Sequence, residues 1–374
     1  MEKQIKETIA QVFDEISSGL AHGSFARRTR VGFTLTGSEH GEEEMRRGVA
    51  LAQSPGLEIV VIEESDAGEA QARMDAMLDS GEIDAAVTMH YSFPIGVSTI
   101  GRVITPGMGR KMYIASTTGT SDTERVSSMI KNTISAIAVA KACGNPAPTV
   151  GILNLDGARQ VERVLQKLSE NGYPICFTQS ARADGGVVMR GNDLLQGVPD
   201  VMVMDSLTGN VIIKMMSAFT SGGNYESLGD GYGPGVGEGY GRIINIISRA
   251  SGAPVVAGAL RYAGACASGK LVEKSKEEFA LARKAGLDAI LGGLVQSNAA
   301  QQSNAAKEVK QPPEKVVTEE ITGVEILVLE DAVRAVWEKG IYATSGMGCT
   351  GPVIMVAEED AEAAVAALKA AEYL

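Results

Sequence analysis

Short apolar runs alternate along this chain with longer stretches in which apolar residues recur every three or four positions. VGFTLT (31–36), LEIVVIE (57–63), DAAVTM (84–89), KMYIAS (111–116), TVGILNL (149–155) and DVMVMD (200–205) read as buried strands. Helical periodicity fills the intervals at 42–53, 70–78, 122–142 and 158–169, and a further helix starts near Gly209. In 158–169 the apolar positions Val161, Val164, Leu165 and Leu168 share one face. APVVAG (253–258) and LDAILGG (287–293) read as later strands. The alternation predicts an α/β fold, a mainly parallel sheet sandwiched by helices, with ligands taken at the carboxyl ends of strands.

The pattern breaks twice. MEKQIKETIAQVFDEI puts Ile5, Ile9, Val12 and Ile16 on one helical face, so residues 1–30 are expected to form an N-terminal helical arm rather than a signal peptide. The α/β core is expected over 31–295. The stretch QSNAAQQSNAAKEVKQPPEKVVTEE, with Pro312 and Pro313, reads as a polar linker over 296–321. Residues 322–374 then form a small βαβα module: a strand at 324–330, a helix at 331–339, a strand at 353–357 and a terminal Ala/Glu helix. This module carries Cys349 in GMGCTGPV and is expected to deliver it to the strand ends of the core.

Composition narrows the partners. The chain has 374 residues and a net charge of −12, so it repels phosphate backbones and nucleic acid is not expected. No apolar run approaches the roughly 20 residues that span a bilayer, so no membrane is expected. The four cysteines, Cys143, Cys176, Cys266 and Cys349, form no CxxC pair; no metal site or disulfide framework is indicated, and a cytoplasmic protein with reduced thiols is expected.

Several loops can carry chemistry. Cys349 is flanked by Gly348 and Gly351, which permit close backbone approach and leave N–H groups free for an oxyanion, and by Thr350, which offers a hydroxyl. The alternative is a small apolar residue in a tight turn. Cys143 and Cys176 read as core thiols, with Cys266 less defined. His40 and His90 follow strands, where a general base or an anion-binding imidazole is useful, and a hydrogen-bonded loop histidine is the plainer reading. STTGTSD, with Ser116, Thr117 and Thr118, opens a helix after a strand. So does DSLTGN, with Asp205, Thr208 and Asn210, followed by Lys214. Each is a candidate phosphate cradle and, alternatively, an ordinary helix cap. The glycine-rich 221–242 lacks the strand before it that a dinucleotide site requires, and reads as a mobile or interface loop; Arg242 and Arg261 are candidate phosphate contacts there. VIIKMMSAF is compatible with core packing and with self-association as a homodimer.

TVGILNLDGA and GGVVMRGNDLLQGVPDVMVMDSLTGNVIIKMM resemble the PlsX-type phosphate acyltransferases that act on acyl carrier protein. The fairly specific block is 200–214, with Ser206 and Leu207 standing where that family has Gly and Phe. The loops TGSEHG and HYSFPIG depart from the family pattern, which implies a different acyl donor. With SFARRTRVGFTLTGSEHGEEE, the glycine-rich stretch and GMGCTGPV included, the whole chain resembles more closely the alpha subunits of protein C of the glycine/sarcosine/betaine reductase complex. That resemblance implies a PlsX/phosphotransacetylase-like fold and the release of acetyl phosphate. An acetyl thioester, formed after the selenoprotein partner has reduced its carboxymethyl selenoether, passes its acetyl group to orthophosphate. It implies the beta subunit of protein C and the selenoprotein as partners, no cofactor, and Cys349 as the acyl-handling residue. Two alternatives stand beside it: a lipid-pathway acyl-carrier-protein:phosphate acyltransferase, and a non-catalytic docking subunit.

Overall fold

The computed structural model describes residues 28–182, 185–294, 309–325, 328–348 and 351–374, with Ile9, Val12, Phe13, Ile16 and Ser17 from the N-terminal stretch. These five are helical, and the four apolar ones among them are exposed. Cys349 and Thr350 lie outside the described residues, as does most of the expected arm.

The core is an eleven-stranded sheet in the order β2-β1-β3-β11-β10-β4-β5-β9-β6-β7, with β8 also paired to β6. Its strands are β1 (Thr29–Thr34), β2 (Leu57–Ile62), β3 (Ala85–Thr88), β4 (Val97–Ile104), β5 (Lys111–Thr120), β6 (Thr149–Leu153), β7 (Cys176–Phe177), β8 (Val188–Met189), β9 (Val201–Val203), β10 (Gly233–Gly237) and β11 (Ile244–Ile246). One parallel block joins β2, β1, β3 and β11; a second joins β5, β9, β6, β7 and β8. The pairings β11–β10, β10–β4 and β4–β5 are all antiparallel. Three reversals in succession make the two blocks run in opposite directions, so their carboxyl ends lie on opposite edges of the sheet.

Helices cover both faces. On one lie α1 (Gly41–Ala52), α3 (Arg125–Ala142), α4 (Ala158–Glu170), α7 (Ala253–Ser268) and α8 (Leu271–Lys284), which build the largest apolar cluster with the sheet. On the other lie α2 (Ala67–Ser80), over Ile62 and Ile83, and α6 (Ser206–Ala218), over Ile114 and Met202. A short α5 (Gly191–Gln196) links β8 to β9. Local chemistry sets the helix ends: Asp66 accepts the amides of Gly68 and Glu69 to start α2, and Gly81 closes it in the left-handed region.

The block that carries the family resemblance has a packing role. A Cβ on Gly209 would sit 1.8 Å from the carbonyl oxygen of Ser116, so only glycine lets α6 lie this close to β5. Asn210 then donates its side-chain amide to the carbonyl of Thr117 at 3.0 Å.

Four expectations fail in the core. APVVAG belongs to α7, a helix buried nearly all round whose continuous apolar run imitates a strand, and residues 287–294 are helical although only Leu287 among them is buried. The glycine-rich 221–242 is no mobile loop: it supplies β10, every residue of which is buried in the middle of the sheet. Cys176 is exposed on the edge strand β7 rather than in the core.

The C-terminal residues form a three-stranded antiparallel sheet, β12 (Glu319–Thr322), β14 (Gly351–Val356) and β13 (Ala343–Gly348) in spatial order, with α9 (Leu329–Trp337) and α10 (Ala361–Ala370) packed on it around a separate apolar cluster. The first strand is Glu319–Thr322, within the expected linker, and Leu329 already belongs to α9, so 324–330 is no strand. GMG ends β13 and GPV begins β14, with Gly348 opposite Gly351.

Candidate active site

The cleft with the most cationic lining lies at the carboxyl edge of the second block, where the C-terminal sheet meets the core. Its cavity is about 580 Å³, walled on one side by 154–156, Arg159, Arg182 and Arg190 and on the other by 322–325 and Pro352. Pro352 is three residues beyond Cys349.

Three loops aim the arginines. Arg159 starts α4, which follows Gly157 in the left-handed region, and pairs with Glu162 at 2.9 Å. Arg182 and Arg190 flank a turn anchored by Asp193. That buried carboxylate accepts the amides of Ala181 at 2.9 Å and Arg190 at 2.8 Å and the Ser180 hydroxyl at 2.8 Å. Burial works against its charge, but the Arg190 and Ala181 amides, Ser180 and the Arg182 charge outweigh it and hold Asp193 below the usual carboxylate range. The guanidinium of Arg190 has no ion pair among the described residues.

Carboxylates complete the cleft. Arg125, at the start of α3, spans Asp156 at 3.0 Å and Asp205 at 2.9 Å. The second oxygen of Asp156, Oδ1, is buried without a hydrogen-bond partner among the described residues. Asp205 caps α6 by accepting the Thr208 amide at 3.0 Å and hydroxyl at 2.7 Å. Burial opposes its charge; Thr208 and Arg125 prevail and lower its pKa. Opposite, Glu325 Oε1 accepts the Gln160 amide at 3.2 Å, so the C-terminal segment caps a core helix that Gly157 cannot cap itself. Burial, with the nearby Asp156 charge, pushes the Glu325 carboxyl up, against the Gln160 amide and Arg163.

The residues singled out in the sequence are not gathered in one place. Asp205 and Thr208 touch this cleft's network through Arg125. Ser116 shares a 2.7 Å hydrogen bond with Ser206, and Thr117 is buried, donating to the Tyr232 carbonyl at 2.7 Å. Thr118 follows them along β5. Lys214 donates to buried Glu226 at 2.8 Å and to Ser248 at 2.9 Å. Arg242 is held by Asp75 at 3.0 Å and Asp79 at 2.7 Å, and Arg261 donates to the Leu51 carbonyl at 2.8 Å. His40 lies 3.1 Å from the Ala250 carbonyl with its ring against Tyr225. His90 is exposed beside Thr36 and Arg249. Both histidines follow strands of the first block, on the opposite edge from Asp205. Met347, Gly348 and Gly351 are described by their backbone strand pairing alone.

The reading of the sequence missed Arg159, Arg182 and Arg190. Two signals were present: LDGAR, a strand running into a helix whose second residue is Arg159, and MRGND, where Arg190 precedes the anchoring Asp193. Among the sulfurs, Cys143 and Cys266 stand 3.8 Å apart, away from the cleft. The hydrogen bond between them, against the cost of burial, brings Cys143 down to about 7, and burial pushes Cys266 well up. No helix among the described residues is long and apolar enough to cross a membrane.

A two-block sheet under helices, with a cationic strand-end cleft, places the chain in a definite class. It belongs to the family described as fatty acid synthesis protein, which it matches over residues 29–355. It is 52% identical over 378 residues, 98% of each chain, to the glycine/sarcosine/betaine reductase complex component C subunit alpha of Peptoclostridium acidaminophilum. Both findings agree with the resemblances read from the 200–214 block and from the whole chain.

Proposed function

We propose that this chain is the acyl-to-phosphate transfer component of a glycine/sarcosine/betaine reductase complex, and that the arginine cleft is where the transfer occurs. The observation that carries the proposal is the convergence of Arg159, Arg182 and Arg190 on one strand-end cavity whose far wall includes Pro352, three residues beyond Cys349 in the sequence. In a chain of net charge −12, such a concentration of guanidinium groups calls for an anionic ligand.

In this reading orthophosphate sits among the arginines and its oxygen attacks the carbonyl of an acetyl thioester. A C–O bond forms, the tetrahedral oxyanion collapses, and the C–S bond breaks to give acetyl phosphate and a thiolate. Asp156 Oδ1, the buried acceptor without a partner, takes the proton of the attacking phosphate. Glu325, its pKa raised by burial, is suited to protonate the leaving sulfur. Closure of the cleft by the C-terminal segment excludes water, which competes with phosphate as nucleophile. Cys349 carries the acetyl group between the partner proteins and phosphate. The beta subunit of protein C and the selenoprotein are the partners, in the cytoplasm. The chemistry asks for no metal or organic cofactor. The charged side chains on the cleft's lining, Asp156, Arg159, Arg182, Arg190 and Glu325, favour a two-carbon acyl group over a long chain, and thereby the reductase over the lipid pathway.

The test is arsenate-dependent hydrolysis of acetyl phosphate by the purified chain. Wild type is expected to be active and Cys349→Ala inactive. Arg190→Ala should raise the half-saturating arsenate concentration by about tenfold or more. Activity retained in Cys349→Ala refutes the covalent route and leaves direct attack by phosphate. An Arg190→Ala variant indistinguishable from wild type removes the cleft from the reaction. No activity in the wild type supports the docking subunit.

A further inference from the structure

Two cysteines from distant parts of the chain meet where α3 and α7 end against one another. Cys143 caps the carboxyl end of α3, and Cys266 lies in the last turn of α7, 123 residues further on. Their sulfurs stand 3.8 Å apart. The turn that leaves α7 fixes this approach: a Cβ on Gly269 would sit 1.8 Å from the carbonyl oxygen of Ala142, so the two backbones touch beside the sulfurs. A disulfide is about 2.05 Å long, so the sulfurs need to close by roughly 1.8 Å. The two thiols differ in access, Cys143 being partly exposed and Cys266 fully buried. The guanidinium of Arg102 on β4 lies 4.0 Å from the ring centre of Tyr262 on α7 and 5.8 Å from that of Tyr113 on β5. Arg102 pairs with Asp230 at 2.5 Å, and Lys111 reaches the same carboxylate at 3.2 Å. Lys141, two residues before Cys143, is matched by Glu278 of α8 at 2.6 Å. The hydrogen bond from Cys266, then the Arg102 charge and Tyr113, favour the Cys143 thiolate against burial and the Asp230 charge.

We propose that Cys143 and Cys266 form a peroxide-sensitive thiol pair, in which Cys143 is oxidised first and Cys266 resolves it into a reversible disulfide. The Cys143 thiolate attacks one oxygen of a peroxide. An S–O bond forms, the O–O bond breaks, and the other oxygen leaves as hydroxide, which takes up a proton to become water. The Cys266 sulfur then attacks the sulfur of the Cys143 sulfenic acid. An S–S bond forms, the S–O bond breaks, and the departing hydroxide with the Cys266 proton makes a second water. The pair gives up two electrons and the peroxide accepts them. The order of events follows from access: the oxidant reaches the open thiol, and the sulfenic acid it leaves lies against a buried thiol before a second peroxide molecule arrives. The bond ties α7, which packs on β1 and β3, to α3, which packs on β5 and β9, and so bridges helices over the two blocks of the sheet. The inference is independent of the chemistry assigned to the arginine cleft.

The experiment treats the purified full chain with a small excess of hydrogen peroxide at neutral pH, blocks the remaining thiols with N-ethylmaleimide, and maps tryptic peptides without reduction. The expected product joins peptides 142–159 and 262–270, is lighter than their sum by two hydrogens, and disappears on adding dithiothreitol. In Cys266→Ser, Cys143 should pass on to sulfinic acid, about tenfold or more than in wild type at the same dose. In Cys143→Ser, Cys266 should stay a thiol. A wild type in which both cysteines remain thiols overturns the proposal, as does one in which Cys143 is over-oxidised beside an intact Cys266 thiol. So does a product that joins either of them to Cys176 or Cys349 instead, or oxidation of Cys266 in Cys143→Ser. The wild-type map needs no substitution, so a variant that fails to fold leaves the test standing.

Discussion

Glu325 makes the sharpest test of how the C-terminal segment is held to the core. Its carboxylate supplies the N-terminal cap of α4, accepting the Gln160 amide at 3.2 Å. Replacing such a cap by alanine costs about 1 kcal/mol. That is roughly a fivefold change in the equilibrium for opening the first turn of α4, since 1.4 kcal/mol is tenfold. Glu325→Gln keeps an acceptor oxygen and loses the charge beside Asp156. The carboxyl is pushed above its ordinary value, so between the unfolded and folded pKa values the native state holds more protons than the unfolded state. Within that window the stability of the docked segment falls as pH rises, because burial and Asp156 outweigh the Gln160 amide's preference for the ionised form; below it, the group contributes no pH dependence. Hydrogen exchange of the 158–163 amides measures this directly. Glu325→Ala should exchange about fivefold faster there. Glu325→Gln should match wild type in mild acid and be better protected once wild-type Glu325 ionises. Unchanged exchange in Glu325→Ala, or identical pH profiles for wild type and Glu325→Gln, refutes the capping argument.

Other outcomes follow from contacts already described. Lys214→Ala leaves Glu226, whose side chain is 1% exposed, without its cation, and should destabilise the protein by about 3 kcal/mol in urea unfolding. Gly209→Ala drives a methyl into the Ser116 carbonyl, and should cost about 3 kcal/mol or more, seen as a lowered Tm. Asp193→Ala removes three hydrogen bonds to one carboxylate, so stability should fall by about 3 kcal/mol and the half-saturating arsenate concentration should rise with it. Arg242→Ala, whose charge Asp75 and Asp79 already match, should leave arsenate dependence unchanged in the acetyl phosphate assay.

The strands at 31–36, 57–63, 149–155 and 200–205 were legible because each is a short apolar run followed by a helical period, and 84–89 by its apolar run alone. β10 was not, since Gly-Pro-Gly-Val-Gly has almost no hydropathy to read, and its place comes from pairing with β4 and β11, both remote in sequence. α7 was misread because Val255, Val256, Ala257 and Gly258 are all buried, which erases the polar face that gives a helix its period. For the cleft, the sequence shows each strand-end loop but not the direction in which its block runs. His40 and Asp205 look equivalent on paper and lie on opposite edges of the sheet. Arg159, Arg182 and Arg190 come from separate loops, and only the pairing of β6 with β8 draws them together.

The position of β11 beside β3 also has a cost during biosynthesis. Ala85, Ala86 and Val87 have their neighbour on one side, β1, early in translation, but the other side must wait until Ile244–Ile246 leave the ribosome. At roughly 5–20 residues per second that wait is on the order of ten to thirty seconds. Throughout it the nascent chain carries an apolar strand with unpaired amides, a template for mispairing with other chains. Yield of the native protein should therefore depend on elongation speed and on chaperone capacity more steeply than its final packing suggests.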